Sequence, residues 1–218
     1  MNSKQWVIAL ALCSAGAAAH ADADGAALAN KGNVHGAIAC ASCHGAQGEG
    51  TAAAGFPRLA GLPAAYLAAQ LDSFAAKTRD NASMRSIANA LNAAERQAVS
   101  HYYATLPAPT PLFVPNGPNA AGEMLVQRGR WPQNLPACAQ CHAADGVGVG
   151  AEFPPLAGQP ASYIAAQLHA WQKNRRAPGP LGLMPAVAGK LSDADIQAVA
   201  AYYAALPEPA AAANGSPP

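Results

Sequence analysis

The sequence predicts an all-α protein that consists of two similar helical domains in tandem. Alanine is abundant among the 218 residues, whereas Val, Ile and Phe are sparse, and this composition favours helices over a large sheet. A series of motifs also occurs twice along the chain in the same order, which indicates an internal duplication. The formal net charge is only +1, so the chain offers no cationic excess for a nucleic-acid backbone, and nucleic acid is excluded as an expected partner.

The N-terminal segment 1–21 has the features of an export signal. Lys4 supplies a positive charge, a short apolar run follows, and residues 19–21 begin and end with alanine as at a cleavage site. We therefore expect cleavage after about Ala21 and a mature protein in the periplasm. A retained membrane anchor is a weaker alternative because the run is too short to span a bilayer. Lipidation of Cys13 is weaker still, since a bulky leucine precedes it.

The repeated motifs define the expected domains. Domain 1 covers residues 22–106 and domain 2 covers residues 119–207. Residues 107–118 are rich in proline, which is typical of a stiff extended linker, and the Pro/Ala/Gly tail 208–218 is expected to be disordered. The matched segments are 56–61 with 153–158, 63–71 with 160–168, Met84 with Met184, and 97–107 with 197–207.

Helix signals recur in both halves. A short amphipathic helix is expected near Gly25–Lys31 in domain 1 and near Ala120–Arg128 in domain 2. Pro63 and Pro160 are expected at the first position of a longer helix, where a missing amide hydrogen costs nothing. The last helix of each half is expected to begin after a capping residue with an acidic residue three positions later. These two expected N-caps are Asn92 and Ser192.

The four cysteines of the mature chain form two copies of one motif. Residues 40–44 and residues 138–142 each read Cys-x-x-Cys-His, which is typical of covalent haem c attachment. Two thiols at this spacing reach both vinyl groups of one porphyrin, and the adjacent imidazole binds the iron. Two disulfides and a four-cysteine zinc site are alternatives, but neither explains a histidine after each pair. A thioredoxin-like motif is a further alternative, but it needs a βαβ context that the sequence does not predict. The predicted attachment residues are Cys40, Cys43, Cys138 and Cys141, and the predicted proximal ligands are His44 and His142.

Met84 and Met184 are the candidate sixth ligands of the two irons. They match each other in the repeat, and each lies in an expected loop before the last helix of its domain. A thioether is a neutral, polarizable ligand that suits ferrous iron and raises the reduction potential. The alternative is that both fill gaps in the core, which is the role expected for Met124 on its helix. Bis-histidine ligation is a further alternative, but its candidates do not recur in the other half; they are His35, His101 and His169.

With these motifs the chain resembles a class I cytochrome c duplicated in tandem, and it is similar to the dihaem cytochrome c4 family over about residues 24–207. That family has in each domain the haem motif, a Pro-x-Leu-x-Gly stretch, a methionine loop and a C-terminal helix. The resemblance implies that the carbonyls of Pro57 and Pro154 accept the Nδ1–H of the proximal histidines. It also implies that Leu59 and Leu156 pack on the haem faces.

The resemblance further implies a pseudo-twofold pair of domains whose haem propionates meet at the interface. Arg58 has a proline as its counterpart in domain 2, so any pairing of Arg58 with a propionate would be specific to the first haem. The basic cluster Lys173, Arg175 and Arg176 is interpreted as a solvated stretch before the second methionine loop, with partner docking as the alternative.

A haem iron with ligands on both faces has no open position for a substrate, so we expect an electron carrier and not an enzyme. The expected carrier takes electrons from a quinol-oxidising complex or a dehydrogenase and passes them to a terminal oxidase. Because the net charge is near zero, docking is expected to use apolar patches at the haem edges, and peripheral membrane association is left open. The alternatives are a cytochrome subunit of a larger dehydrogenase complex and a dihaem peroxidase, which needs one five-coordinate haem.

Overall fold

A computed structural model of the chain shows a helical protein. Among the residues that it describes, extended backbone pairs only in isolated bridges, so the predicted all-α class is confirmed. The expected export signal, the greater part of the proline-rich linker and the C-terminal tail lie outside the described residues. These described residues are 24–108, 119–177, 179 and 182–207.

Each half of the chain contains five α-helices within the described residues, and the helices follow the same order in both halves. The first half has α1 (Gly25–Lys31), α2 (Ala41–His44), α3 (Ala64–Ala75), α4 (Ala82–Asn89) and α5 (Ala93–Thr105). The second half has α6 (Ala120–Gln127), α7 (Ala139–His142), α8 (Ala161–Gln172), α9 (Leu183–Ala188) and α10 (Asp193–Ala205). Single 3₁₀ turns occur at Ala52–Ala54 and at Trp131–Gln133.

The first and last helices of each half pack against each other through a glycine. A Cβ atom at Gly25 of α1 would lie 2.2 Å from the carbonyl oxygen of Ala98 in α5. A Cβ atom at Gly122 of α6 would lie 2.3 Å from the carbonyl oxygen of Ala198 in α10. Because contacts this short do not occur between real atoms, any larger residue at either glycine would force the two helices apart.

The predicted N-caps of the last helices are confirmed. The Asn92 side chain accepts a hydrogen bond from the amide of Glu95 at 2.9 Å, and the Ser192 hydroxyl accepts one from the amide of Asp195 at 3.2 Å. In both cases the acidic side chain returns a bond to the amide of the cap residue, which completes a capping box. These boxes fix where α5 and α10 begin.

Two sequence-based expectations about the helices need correction. Pro63 and Pro160 are N-caps and not first helical residues, because ψ values of 131° and 130° keep their backbone extended. Met124 is 59% exposed and so is not a core residue. The inward face of α6 is formed instead by Gly122 and its C-terminal neighbours Leu125 and Val126.

Both halves have a compact apolar core between their helices. The core of the first half is built from α1, α3, α5 and the chain between them, and the second core uses the equivalent elements. The larger buried side chains of the first core are Leu28, Leu62, Leu67, Leu91, Val99 and Tyr103. Those of the second core are Leu125, Val126, Leu135, Ile164, Leu168, Leu191, Ile196, Val199, Tyr202 and Tyr203.

Two short segments, one after α3 and one after α8, tie the halves together by backbone pairing. The amide of Asp80 donates to the carbonyl oxygen of Arg175 at 2.7 Å, and the amide of Ala177 donates to that of Thr78 at 2.6 Å. The pairing is antiparallel and involves equivalent segments of the repeat. It therefore relates the halves in the manner expected of a pseudo-twofold pair.

A second connection between the halves is made by Arg58 of the first half and has no equivalent residue in the second half. Arg58 is 2% exposed, and its backbone amide and carbonyl bond the side-chain amide of Gln159 at 3.1 and 2.9 Å. Its guanidinium donates to the carbonyl oxygens of Ala60 at 2.6 Å and Ala157 at 3.0 Å. Since Pro155 occupies the equivalent position in the second half, the connection has no symmetric counterpart.

The second half contains an ion pair at a place where the first half has a hydrogen bond between a neutral amide and a carboxylate. Arg130 donates to both carboxylate oxygens of Asp195, at 2.5 and 3.3 Å, and its guanidinium holds the pKa of Asp195 at about 2. In the first half Asn33 donates to Glu95 at 3.1 Å. Because the pKa of Asp195 is depressed, the pair stabilises the fold above about pH 4, and this contribution is lost as the pH falls towards 2.

We predict that Arg130→Asn lowers the free energy of unfolding at neutral pH and that its difference from wild type shrinks between about pH 4 and pH 2. Urea unfolding followed by circular dichroism at several pH values measures this difference. The control is Arg128→Asn, because Arg128 is exposed and makes no ion pair in the described part of the chain. A difference from wild type that stays constant with pH would show that the ion pair is not responsible.

Candidate haem sites

Each half encloses one large apolar cavity, of about 510 Å³ in the first half and about 380 Å³ in the second. The site residues predicted from the sequence come together in these two cavities, one complete set in each. The first set is Cys40, Cys43, His44, Pro57, Leu59 and Met84. The second set is Cys138, Cys141, His142, Pro154, Leu156 and Met184.

A single helical turn presents the thiols and the imidazole of each site. In the first half α2 follows Cys40, and the amide of His44 donates to the carbonyl oxygen of Cys40 at 2.9 Å. In the second half α7 follows Cys138, and the amide of His142 donates to the carbonyl oxygen of Cys138 at 3.0 Å. Because cysteines three positions apart lie on one side of a helical turn, both thiols of each motif line the same cavity.

Each proximal histidine is held by a proline carbonyl. The Nδ1 atom of His44 lies 2.9 Å from the carbonyl oxygen of Pro57, and that of His142 lies 2.9 Å from the carbonyl oxygen of Pro154. A carbonyl oxygen can only accept, so Nδ1 carries the hydrogen and Nε2 keeps its lone pair. Burial lowers the pKa of both histidines, which favours the neutral form that can bind a metal.

A glycine carbonyl positions the leucine of each cavity. The amides of Leu59 and Ala60 donate to the carbonyl oxygen of Gly48 at 2.8 and 3.0 Å. The amides of Leu156 and Ala157 donate to that of Gly146 at 2.8 and 3.1 Å. The chain thereby folds back over the haem motif, so that the leucine and the histidine line the same cavity.

The two methionines lie on short helices, and the expectation that they lie in loops is wrong. The side chain of Asn81 accepts from the amide of Met84 at 2.9 Å and so starts α4 just before the methionine. Met184 lies in the first turn of α9 and is followed by Pro185, which the first turn of a helix tolerates. Both side chains line the cavity that contains the histidine of the same half.

The cysteine geometry disagrees with the alternatives to haem attachment. The four cysteines of the two motifs, which are those within the described residues, form no disulfide. The two pairs lie in separate cavities, so they do not form one zinc site. Burial raises the pKa of the Cys138 thiol to about 11 and also raises that of Cys40. A redox-active Cys-x-x-Cys motif instead needs a lowered thiol pKa.

The histidines considered for bis-histidine ligation are distributed unevenly. His35 and His101 are exposed. His169 of α8 lines the first cavity and bonds Gln172 at 3.0 Å through Nδ1. Among the described lining of the second cavity, His142 is the one histidine. The methionines, in contrast, occupy equivalent places in both cavities.

One polar group of side chains separates the two cavities, and sequence reasoning missed it. Arg176, interpreted above as part of a solvated stretch, is partly buried and lines both cavities, whereas Lys173 and Arg175 are exposed. The internal repeat could have indicated this group from the sequence, because Arg79 and Arg176 each lie the same number of residues after one of the matched tyrosines. We call the residues that line both cavities the shared wall. They are Tyr66, Gln70, Arg79, Tyr163, Gln167 and Arg176.

Two thiols, an imidazole nitrogen and a thioether sulfur around an apolar cavity are the donor set that haem c requires. Because the set occurs once in each half, the fold and the sites define a dihaem c-type cytochrome, in which two haem c groups are covalently bound. Family models agree with this class. The model "Cytochrome c" matches residues 23–107, and "Cytochrome C oxidase, cbb3-type, subunit III" matches residues 119–202.

The chain belongs to the cytochrome c4 family. It is 35% identical to cytochrome c4 from Pseudomonas aeruginosa PAO1 over 86% of this chain and 91% of the relative. It is 50% identical to the "Thiosulfate dehydrogenase electron acceptor" of Thiomonas intermedia strain K12 over 78% of this chain and 80% of that protein.

A solved structure of thiosulfate dehydrogenase TsdBA from Marichromatium purpuratum is also similar to this chain. The TM-score is 0.78 and the identity is 47%, and the match covers 83% of this chain and 39% of that longer chain. As predicted, the protein is an electron carrier and not an enzyme. No helix within the described residues is both long enough and apolar enough to cross a bilayer.

We predict that the double substitution Cys138→Ala and Cys141→Ala removes one of the two covalent haems and leaves the other in place. The reason is that each thiol pair lines its own cavity. Intact-mass spectrometry and the alkaline pyridine spectrum measure haem content. The matched control is Cys40→Ala with Cys43→Ala, which removes the other haem. Retention of both haems in either variant would contradict the assignment.

Proposed function

We propose that this cytochrome accepts electrons from a thiosulfate dehydrogenase and passes them to a terminal oxidase in the periplasm. The observation that carries the proposal is the 50% identity to a protein named as the electron acceptor of that dehydrogenase. The TsdBA chain adds support, because a longer chain named as the dehydrogenase contains a region like this one. The export signal expected at residues 1–21, with cleavage after about Ala21, is consistent with a periplasmic location.

We propose His44 with Met84, and His142 with Met184, as the axial ligands of the two irons. Haem iron supplies the one-electron chemistry when the haem is bound. The cysteines anchor the group, the proline carbonyls orient the imidazoles, and Leu59 and its counterpart Leu156 exclude water from the cavity. Iron held by these ligand pairs would keep no position for a substrate, and electron transfer would be the chemistry that the sites supply.

Apolar side chains beside each cavity support docking of protein partners there. Ile38 is 57% exposed and Phe56 is 39% exposed, and both line the first cavity. Leu183 is 38% exposed and lines the second cavity, which Phe153 also lines. Because the chain carries a formal net charge of only +1, these contacts are expected to matter more than long-range electrostatic attraction.

A second candidate function is that of a cytochrome subunit held permanently by its dehydrogenase. The similarity to part of the TsdBA chain favours this candidate specifically. Purification of the native protein distinguishes the two functions, because a permanent subunit elutes with its dehydrogenase at high salt and a mobile carrier elutes alone. The methionine in each cavity disfavours a dihaem peroxidase, which needs an open iron.

We predict that Met84→Ala and Met184→Ala each remove about half of the weak near-infrared band that methionine ligation gives ferric haem. Met124→Ala is the control, because Met124 is exposed on α6 and lines neither cavity. The absorption spectrum of the oxidised protein measures the band. An unchanged band in both cavity variants would exclude the two methionines as ligands.

We predict that a thiosulfate dehydrogenase together with thiosulfate reduces both haems, which stopped-flow absorption spectroscopy of the haem bands measures. Dehydrogenase alone or thiosulfate alone should leave the protein oxidised.

A parallel reaction with a quinol and a quinol-oxidising complex tests the other donor class. Faster reduction in that reaction, with none by the dehydrogenase, would replace the proposed donor. Reoxidation by an isolated terminal oxidase tests the acceptor.

A further inference from the structure

We propose that the hydroxyl groups of Tyr103 and Tyr203 each donate a hydrogen bond to a haem thioether sulfur, and that this bond raises the reduction potential of the haem in the same half. The inference rests on the covalent attachment of both haems and not on the identity of the electron donor. The observations that carry it are two buried hydroxyl groups without protein partners, at matching places in the repeat, each in a cavity with a cysteine pair.

The two tyrosines are buried near the end of the last helix of each half. Tyr103 of α5 is 3% exposed, and Tyr203 of α10 is 0% exposed. Neither hydroxyl group has a hydrogen-bond partner among the described residues. A hydroxyl group that has lost its bonds to water is costly unless other partners replace them. Each hydroxyl group therefore needs a partner that the polypeptide alone does not supply.

The rings of both tyrosines are held in place by the turn that follows the haem motif. A Cβ atom at Gly48 would lie 2.7 Å from Cδ1 of Tyr103, and one at Gly146 would lie 3.0 Å from Cδ1 of Tyr203. The tyrosine backbone is fixed as well, because each carbonyl oxygen accepts from the amide of the glycine two residues after the cavity leucine, at 3.0 Å. The hydroxyl groups therefore stay in the cavities and cannot turn towards solvent.

The first cysteine of the haem motif is a neighbour that both hydroxyl groups have. Cys40 lines the same cavity as Tyr103, and Cys138 lines the same cavity as Tyr203. Burial raises the pKa of Tyr103, and the neighbouring thiol of Cys40 raises it further. Burial and the neighbouring thiol of Cys138 act on the pKa of Tyr203 in the same way. The cysteine sulfur is thus close to the hydroxyl group in both halves.

Two other polar neighbours occur in the first half without a counterpart in the second. Glu49 also raises the pKa of Tyr103, but its carboxylate already accepts from a backbone amide at 2.8 Å, and Val147 takes its place in the repeat. Ser100 lies one helical turn before Tyr103 and lines the first cavity, but Ala200 is the equivalent residue. The cysteine sulfur is therefore the acceptor that both sites offer.

Covalent attachment makes each of these sulfurs an acceptor. When a thiol adds to a haem vinyl group, the sulfur bonds one vinyl carbon and the thiol hydrogen goes to the other. The resulting thioether sulfur has lone pairs but no hydrogen, so it accepts a hydrogen bond and cannot donate one. The tyrosine hydroxyl group is then the donor. The vinyl edge of a porphyrin lies opposite its carboxylates, so this contact is separate from the shared wall.

The proposed bond affects the potential of one haem at a time. The positive end of the hydroxyl dipole points to the haem edge and disfavours the ferric state, which carries one more positive charge. Because each tyrosine lines one cavity only, Tyr103→Phe is expected to lower the potential of the first haem and Tyr203→Phe that of the second. We expect a change of about threefold in the reduction equilibrium, which is about 28 mV for one electron.

Spectroelectrochemical titration of the haem-loaded protein tests the proposal. Each of the two variants should shift one of the two reduction steps, and the two variants should shift different steps. The matched controls are Tyr102→Phe and Tyr202→Phe, because these tyrosines directly precede the proposed donors and line neither cavity. Both controls should keep the wild-type potentials. Wild-type potentials in Tyr103→Phe and Tyr203→Phe, or equal shifts in the controls, would overturn the proposal.

A second measurement needs no variant and applies even if the phenylalanine variants do not fold. In a crystal structure of the haem-loaded wild-type protein, Tyr103 Oη is expected in direct contact with the sulfur of Cys40, and Tyr203 Oη with that of Cys138. A water molecule between the hydroxyl group and the sulfur, or a hydroxyl group bonded to another side chain, would refute the proposed bond, whatever the potentials of the variants.

Discussion

The hydrogen bond between a buried histidine and a proline carbonyl is the interaction on which each site depends. It fixes the ring of His44 or His142 so that Nε2 keeps its lone pair. The bond requires the chain to turn back within about a dozen residues, and the carbonyl of Gly48 or Gly146 holds that turn. The same turn brings a leucine to the cavity. Contacts within one half therefore arrange the imidazole, the thiols and an apolar wall.

The contact between the halves depends on a different constraint, namely that polar groups between two cavities must satisfy one another. Arg79 and Arg176 both donate to Gln70 and Gln167, and a backbone bridge fixes their separation. Arg58 adds a connection without a symmetric counterpart. The halves are thus alike in their haem motifs but unlike in the charges around them. Unequal surroundings for two equal haems are a general means of separating their potentials.

Local signals explain what could be predicted from the sequence. The Cys-x-x-Cys-His motifs, the capping boxes after Asn92 and Ser192 and the helical class depend on neighbouring residues, and the structure agrees with the two predictions it tests directly, the caps and the class. Met124 and Arg176 were interpreted wrongly because their burial depends on packing between distant segments. The loop expected around Met84 is a helix because the side chain of Asn81 caps α4. The roles of the iron ligands stay predictions, since no haem contact has been observed.

The shared wall also has a consequence for the path of electron transfer through the molecule. Each cavity is closed by the other half on one side, so the faces that proteins can approach lie on the outer sides. An electron that passes from one cavity to the other has the side chains of the shared wall in its path. Under the proposed function, a donor at the first face does not have to leave before an acceptor binds at the second. The carrier can therefore work within a ternary complex as a fixed bridge, as well as by diffusing between successive partners.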